Sequence, residues 1–253
     1  MTILGTSWTT PLSPEFRTFL LRAGVVAREP GDVELLGRFF AGLQETNSTT
    51  NLTRILTERD FWVKHVADSL ALGAVLPGLM VEPWRVADVG CGGGFPMVPL
   101  AWANPRLRIT GIEARNRKAE FVAGMCEQLG LQNCSVLPVQ AREAGRTADH
   151  AGSYELVVMR AVGPPERMLR PCRQLLLRDA SAAIAFYMTP RAIAEERGTA
   201  LREAEKYGFS LRVSEMIDLP YGAGARQFLI AVNGAGLEAE RERWHQHTTV
   251  MEE

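Results

Sequence analysis

The sequence predicts an α/β protein in which an open, doubly wound sheet follows a small helical subdomain. Two textures carry that expectation. From Trp84 onward, short apolar runs alternate with helix-like segments, whereas before residue 80 apolar residues recur at helical spacing. A third observation marks the ligand-binding edge. Four glycines fall within five positions directly after the first apolar run, in "RVADVGCGGGFP" beginning at Arg85.

Three helices are expected first. In "SPEFRTFLLRAGVV", Ser13 is the N-cap, Pro14 the first helical position, and Glu15 lies in the first turn. Phe16, Phe19 and Leu20 follow at spacings of three and four, and Gly24 ends the segment. "DVELLGRFFAGLQETN" repeats the pattern with Leu36, Phe39, Phe40 and Leu43. "TERDFWVKHVADSLALGAVL" is the third, capped by Thr57 and stopped at Pro77–Gly78. Phe61 and Trp62 are expected in the core. His65 and Asp68, at i and i+3, are expected to pair on one helix face. Three such helices do not make a stable core alone.

Seven apolar runs are the expected strands: 85–89, 107–113, 134–139, 154–159, 181–187, 210–217 and 226–232. Helices are expected at 96–103, 115–129, 164–177 and 190–207. This alternation implies parallel βαβ units. Only "LPYGAGAR" separates the last two runs, so an antiparallel hairpin is expected at the sheet edge or beside it. The charged segment from Gly234 reads as a helix or a frayed tail. The expected division is a helical subdomain over 1–80, a sheet domain over 81–234 and a charged tail over 235–253.

A chain of 253 residues can bury one large core, with or without a small appendage. No apolar run approaches the roughly 18 residues of a membrane span. The first residues lack the basic start and apolar block of a secretory signal. Cys91, Cys126, Cys134 and Cys172 are scattered without a CxxC pair, which argues against zinc and against a disulfide framework. His245 and His247 have no third ligand in view, so no metal is expected. A cytoplasmic location follows, and the sequons at Asn47 and Asn51 carry no glycosylation meaning there. A net charge of −1 argues against broad nucleic-acid affinity and leaves room for a local basic rim.

Bare backbone after a strand lets a ligand approach closely, at the carboxyl edge where such sheets bind. Three ligand classes compete. A dinucleotide needs GxGxxG, but the third glycine position is Phe95 counted from Gly90 and Met97 counted from Gly92. A P-loop string is absent. S-adenosylmethionine is the third, with the motif D-x-G-x-G-x-G, which Asp88, Gly90, Gly92 and Gly94 satisfy. An acidic residue should end the second strand about twenty residues on and take the ribose hydroxyls, and Glu113 stands there. Glycines alone could make only a tight turn; together with Glu113 they favour a ligand. The layout resembles the seven-stranded class I S-adenosylmethionine-dependent methyltransferase fold, which is Rossmann-like.

A narrower resemblance comes from "NLTRI" at Asn51, "KHVADSL" at Lys64, "DVGCGGGFPMVPLA", "EARNRKAEFV", "MRAV" at Met159 and "RQFLIAV" at Arg226. Over roughly Phe39 to Val232, their order resembles the bacterial 16S ribosomal RNA guanine-N7 methyltransferase family (RsmG, once called GidB). The resemblance implies S-adenosylmethionine as cofactor, and 16S ribosomal RNA or the small ribosomal subunit as partner of a monomer. Gly90 and Phe95 would flank the cofactor, and Glu143 and Ala144 of "QAREA" would sit beside its adenine. Arg160, after the fourth strand, would face cofactor and substrate as the candidate catalytic residue. Lys64, His65, Arg117, Lys118 and Arg226 match basic surface motifs that would bind RNA. Three departures stand out: Met97 in place of glycine, Cys91 in place of threonine or serine, and Met188–Thr189 in place of Lys-Gly. Arg191, three residues past Met188, is the candidate cation to compensate. Guanine N7 is already a lone-pair acceptor, so the missing nucleophile, triad and metal cluster suit this chemistry. The residues leave two alternatives open: a methyltransferase of a small molecule or protein, and a non-catalytic cofactor-binding or ribosome-assembly module.

Overall fold

The computed structural model describes residues 10–26, 30–55, 57–178, 182–233 and 248–251. Helix α1 (Pro14–Arg22) starts where its cap predicts, with the Ser13 hydroxyl accepting the Phe16 N–H at 3.2 Å. Helix α2 spans Pro30–Thr50. The third expected helix is a chain of segments. Thr57 caps α3 (Glu58–Asp60), a π-helical turn follows over Phe61–Ala67, and α4 (Asp68–Leu70) and α5 (Leu72–Val75) complete it. The Asp68 N–H reaches back to the Val63 carbonyl, the five-residue bond of a π turn. Pro77 and Gly78 end the α-helix and open a 3₁₀ turn, Pro77–Met80.

All seven expected strands form: β1 (Arg85–Val89), β2 (Arg108–Ile112), β3 (Cys134–Leu137), β4 (Leu156–Arg160), β5 (Ala183–Met188), β6 (Phe209–Ser214) and β8 (Ala225–Asn233). Two short strands join them, β7 (Ile217–Asp218) and β9 (Thr248–Val250). The order is β3-β2-β1-β4-β5-β8-β6-β9, with β7 paired to β8. The first five strands run parallel, and β8 is antiparallel to both β5 and β6. The expected hairpin is therefore built into the sheet, its second arm inserted between β5 and β6. β9 pairs with the outer side of β6, so part of the expected tail is strand rather than helix. His245 and His247 lie outside the described residues.

The crossover helices are α6 (Met97–Ala103), α7 (Asn116–Gln128), α9 (Pro165–Arg173) and α10 (Pro190–Lys206), with a four-residue helix α8 (Ala141–Ala144) not expected from the sequence. Alternation along the strands splits the core into two layers. Leu156, Val158, Ala183, Ala185 and Tyr187 face one layer, shared with Phe16, Phe39, Phe61 and Trp62 of the helical lobe. Val157, Met159, Ile184 and Phe186 face the other, with Leu169 of α9 and Ile193 of α10. The lobe thus gains its core by covering one sheet face. Among the described residues no helix is long and apolar enough to cross a membrane.

One of the polar bonds that cross this seam lies deep in the core. The Tyr187 hydroxyl on β5 donates to the Ser69 carbonyl on α4 at 2.8 Å, fully buried. Tyr187→Phe should lower stability by about 1 kcal/mol, read from urea midpoints, with unchanged far-ultraviolet circular dichroism.

Candidate active site

The strand order reverses between β1 and β4. At the carboxyl ends of the strands flanking that switch lies a cleft of about 1120 Å³. Ligand pockets commonly hold about 300–1,000 Å³, so the cleft has room for a nucleotide-sized ligand and part of a second molecule.

The glycine loop forms its floor. Gly92 has φ +57°, a conformation in which other residues are strained, and a Cβ there would meet only the Gly90 carbonyl oxygen, at 3.7 Å. A Cβ on Gly90 would meet Val162 at 2.6 Å, and one on Gly94 would meet the Phe39 ring at 2.9 Å. Gly90, Gly92 and Phe95 line the cleft, whereas Gly94 and Asp88 stand behind it. Asp88 is fully buried, and its Oδ2 accepts the Met97 N–H at 3.0 Å, which fastens the first turn of α6. Its Oδ1 has no partner among the described residues, and burial pushes its carboxyl up to about 7. Met97 fits because Gly111 faces it; a Cβ at Gly111 would lie 2.7 Å from the Met97 sulfur.

Glu113 follows β2 and enters the cleft. Its Oε2 accepts the Gly92 N–H at 3.0 Å and its Oε1 the Arg115 N–H at 2.9 Å. The two bonds tie the loop to the second strand and still leave carboxylate lone pairs for hydroxyl donors. The neighbouring wall is Val139–Arg142. Glu143 and Ala144, expected there, do not line the cleft. The Glu143 carboxylate turns back to accept the Gln140 N–H at 3.0 Å, closing a capping box on α8, and Ala144 is buried in the second core layer.

Opposite lies a cluster of charges. The Asp68 carboxylate, 3% exposed, sits between two guanidinium groups. Arg160 Nη1 donates to its Oδ2 at 3.0 Å, while Arg226 donates from Nε to Oδ1 at 2.6 Å and from Nη2 to Oδ2 at 3.2 Å. Arg160 also donates to the Lys64 carbonyl at 3.2 Å and pairs with His65 Nδ1 at 3.1 Å. The His65 ring stacks on Phe95 at 4.0 Å, and Arg160 lies 5.3 Å from that ring's centroid. His65 Nε2 meets the Thr53 hydroxyl at 2.7 Å. Burial first, and then the Arg160 charge, lower the His65 pKa to about 3.

His65 is therefore not the surface cation expected. It is buried and neutral, and no bond joins it to Asp68 directly; Arg160 bridges the two. Arg226 turns inward for the same reason, its guanidinium being Asp68's second partner, though it still lines the cleft. Lys64 is half exposed at the rim and paired with Asp60 at 3.0 Å. Lys118 lines the cleft and Arg117, fully on the surface, does not. Arg191 also points away, 87% exposed and bonded to Glu195 at 2.8 Å; Met188 itself lines the cleft. Arg115 and Arg142, outside the expected set although each stands in one of its motifs, also line the cleft.

Residues 32–198 match the model of a family described as rRNA small subunit methyltransferase G. The ribosomal RNA small subunit methyltransferase G of Sorangium cellulosum is 39% identical over 155 residues, which is 60% of this chain and 64% of that protein. The protein of that name from Solibacter usitatus is 39% identical over 72% of this chain and 81% of its own length. For Deinococcus radiodurans the figures are 39%, 51% and 50%. In two of the three, the match spans less than two thirds of the relative. Among solved structures, the cofactor-bound Rv0187 from MTB has a TM-score of 0.56 at 18% identity, covering 88% of this chain and 98% of that one. A SAM-dependent O-methyltransferase from Thermotoga maritima has 0.51 at 17%, covering 78% and 72%. At such identities these structures share the fold.

The two buried titrating groups pull in opposite directions. Native His65 stays neutral down to about pH 3, whereas its unfolded pKa is 6.5. It adds stability that is lost as pH falls through that interval. Native Asp88 keeps its proton up to about pH 7, against 3.8 unfolded, so it removes stability as pH rises through that interval. Each slope is at most about 1.4 kcal/mol per pH unit. Asp88→Asn should therefore gain on the parent by up to that slope between about pH 4.5 and 6.5, and His65→Asn should lose on it. Urea titrations at the two pH values check the signs.

Proposed function

The chain belongs to the rRNA small subunit methyltransferase G family, and on that premise we propose that it transfers a methyl group from S-adenosylmethionine to N7 of a guanine in 16S ribosomal RNA. The observation that carries the reading is the glycine loop and Glu113 forming one side of a cleft at the strand-order switch, with arginines on the other side. These residues fit the cofactor. Glu113 offers carboxylate lone pairs suited to ribose hydroxyls, Gly90 and Gly92 keep the floor bare, and Val139–Arg142 would flank the adenine. Asp88 acts from behind by holding the loop and the start of α6. S-adenosylmethionine supplies, when bound, an electrophilic methyl group.

N7 presents a lone pair and carries no proton, so no side chain has to act as a general base. The task of the chain is alignment, with reacting atoms held about 3–3.5 Å apart. Arg160, 16% exposed at the end of β4, is the group to touch cofactor and target base. Arg115, Lys118 and Arg142 form a basic edge for the RNA backbone, with Lys64 on the rim opposite, which supports RNA binding in a chain of net charge −1. Bases of RNA are read best in unstacked loops.

Calorimetry should show binding of S-adenosylmethionine and its demethylated product and none of NAD. Glu113→Ala should weaken that binding by about 1.5–3 kcal/mol, as for lost hydrogen bonds to a charged group. Equal affinity in the variant would move the ribose contact elsewhere. Small subunits from cells lacking the gene should gain one N7-methylguanine when incubated with the protein and the methyl donor, by mass mapping. Arg160→Ala should abolish that transfer by a larger factor than it weakens donor binding. Methylation of a small molecule or a protein with none of ribosomal RNA would replace this reading.

A further inference from the structure

The helical lobe reaches the cleft through one chain of contacts that the transfer chemistry does not itself require. Thr53 starts it. Its hydroxyl accepts the Ile55 N–H at 3.0 Å and meets His65 Nε2 at 2.7 Å, while Asn47 Oδ1 fixes the Thr53 N–H at 2.8 Å. The opposite ring nitrogen, Nδ1, faces Arg160 Nη2, a group that can only donate. Nδ1 is therefore the unprotonated nitrogen, and Nε2 carries the hydrogen given to Thr53. One turn on, Asp68 takes a second donor of the same guanidinium, and the Lys64 carbonyl takes a further contact from it. Arg226 occupies the remaining side of the Asp68 carboxylate.

We infer that Asp68 and His65 are positioning residues for methyl transfer, acting through Arg160: the helical lobe is the mould that holds this guanidinium at one place in the cleft. An arginine side chain has many rotamers, and fixing one in advance removes an ordering cost from each turnover. Three acceptors on one stretch of helix, spaced over Lys64 to Asp68, match the fork of a planar guanidinium. Arg226 is the second cation on the buried Asp68 carboxylate, bonded to both of its oxygens, so the carboxylate is held from two sides. The inference rests on the reading that Arg160 acts in the cleft, and it assigns a purpose to "NLTRI" and "KHVADSL" that a basic RNA-binding surface does not.

The test is a double-mutant cycle with a separate spectroscopic readout. In steady-state transfer to small subunits, Asp68→Asn should lower kcat by about 10- to 100-fold, as misplacement of a catalytic group does. KM for the methyl donor should change by less than about threefold. In the Arg160→Ala background the same substitution should add no further loss. Nitrogen NMR of the guanidinium should show restricted rotation of Arg160 in the parent and free rotation in Asp68→Asn, with no RNA present. If Asp68→Asn does not fold, the His65 pair decides. His65→Leu should reduce kcat, and His65→Asn, whose amide oxygen can stand near Nδ1, should recover most of it. Parent-like kcat in Asp68→Asn, equal losses with and without Arg160, or an Arg160 that rotates freely in the parent would each overturn the inference. Failure of the parent to methylate small subunits would instead overturn the assigned substrate, and the NMR readout would still judge the mould.

Discussion

A buried carboxylate between two arginines sets how the molecule is put together. Asp68 belongs to the helical lobe, Arg160 to the end of β4 and Arg226 to β8. A charge at 3% exposure cannot be left without partners, and removing one partner of such a group typically costs about 3–5 kcal/mol. Lobe and sheet must therefore meet in the one arrangement that brings both guanidinium groups to the same two oxygens. An apolar contact would tolerate sliding; a two-sided hydrogen-bonded carboxylate does not. Well-packed apolar residues could equal its stability, so what the cluster adds is a fixed place for Arg160 and one excess positive charge beside the cleft.

The glycine loop answers to the same docking. Gly93 would bring a Cβ within 3.2 Å of the Leu52 carbonyl, and Gly94 would bring one against Phe39, both on the lobe side. Gly90 instead makes room for Val162, in the turn after β4 where Ala161 has φ +56°. The loop is thus squeezed between the lobe and the β4 turn, with Gly92 left facing the cleft. Backbone that would suit a ligand and backbone that admits neighbours are interleaved along five residues. This explains why the string carries more glycines than the three its motif requires.

Local signals in the sequence reached as far as local physics does. Ser13 and Thr57 cap helices because a hydroxyl satisfies an N–H three residues on, and both are visible in a string of letters. Strand alternation located the sheet, and Glu113 could be placed at the cleft because a strand's end is set by its own apolar run. Three features escaped. The π turn over Phe61–Ala67 has no composition of its own. The rear position of Asp88 depends on the Met97 N–H folding back across the loop. The inward turn of His65 and Arg226 depends on partners 95 and 158 residues away in the chain. A histidine and an arginine in basic motifs look like surface, and only their tertiary partners, Arg160 for His65 and Asp68 for Arg226, turn them into interior. Arg115 and Arg142 were the reverse case, cations beside recognised positions whose exposure at the cleft needed the folded backbone.

The cleft's two long edges differ in kind, and that difference limits how a polyanion could lie in it. Arg115, Lys118 and Arg142 stand on the side of Glu113 and the glycine loop. The far side carries Met168, Met188 and Glu196 beside Arg160 and Arg226, whose guanidinium groups are engaged by Asp68. Phosphates are drawn to the first edge and repelled from Glu196, while methionine side chains offer soft apolar surface to a base. A strand crossing the cationic edge would present an extruded base toward the apolar one, passing the end of β4 on the way. Arg160 stands at that crossing, and its position is set by Asp68 before any substrate arrives. A net charge near zero is no obstacle to this, because screening confines the attraction to about 8–10 Å, the scale of the cleft edge rather than of the whole surface.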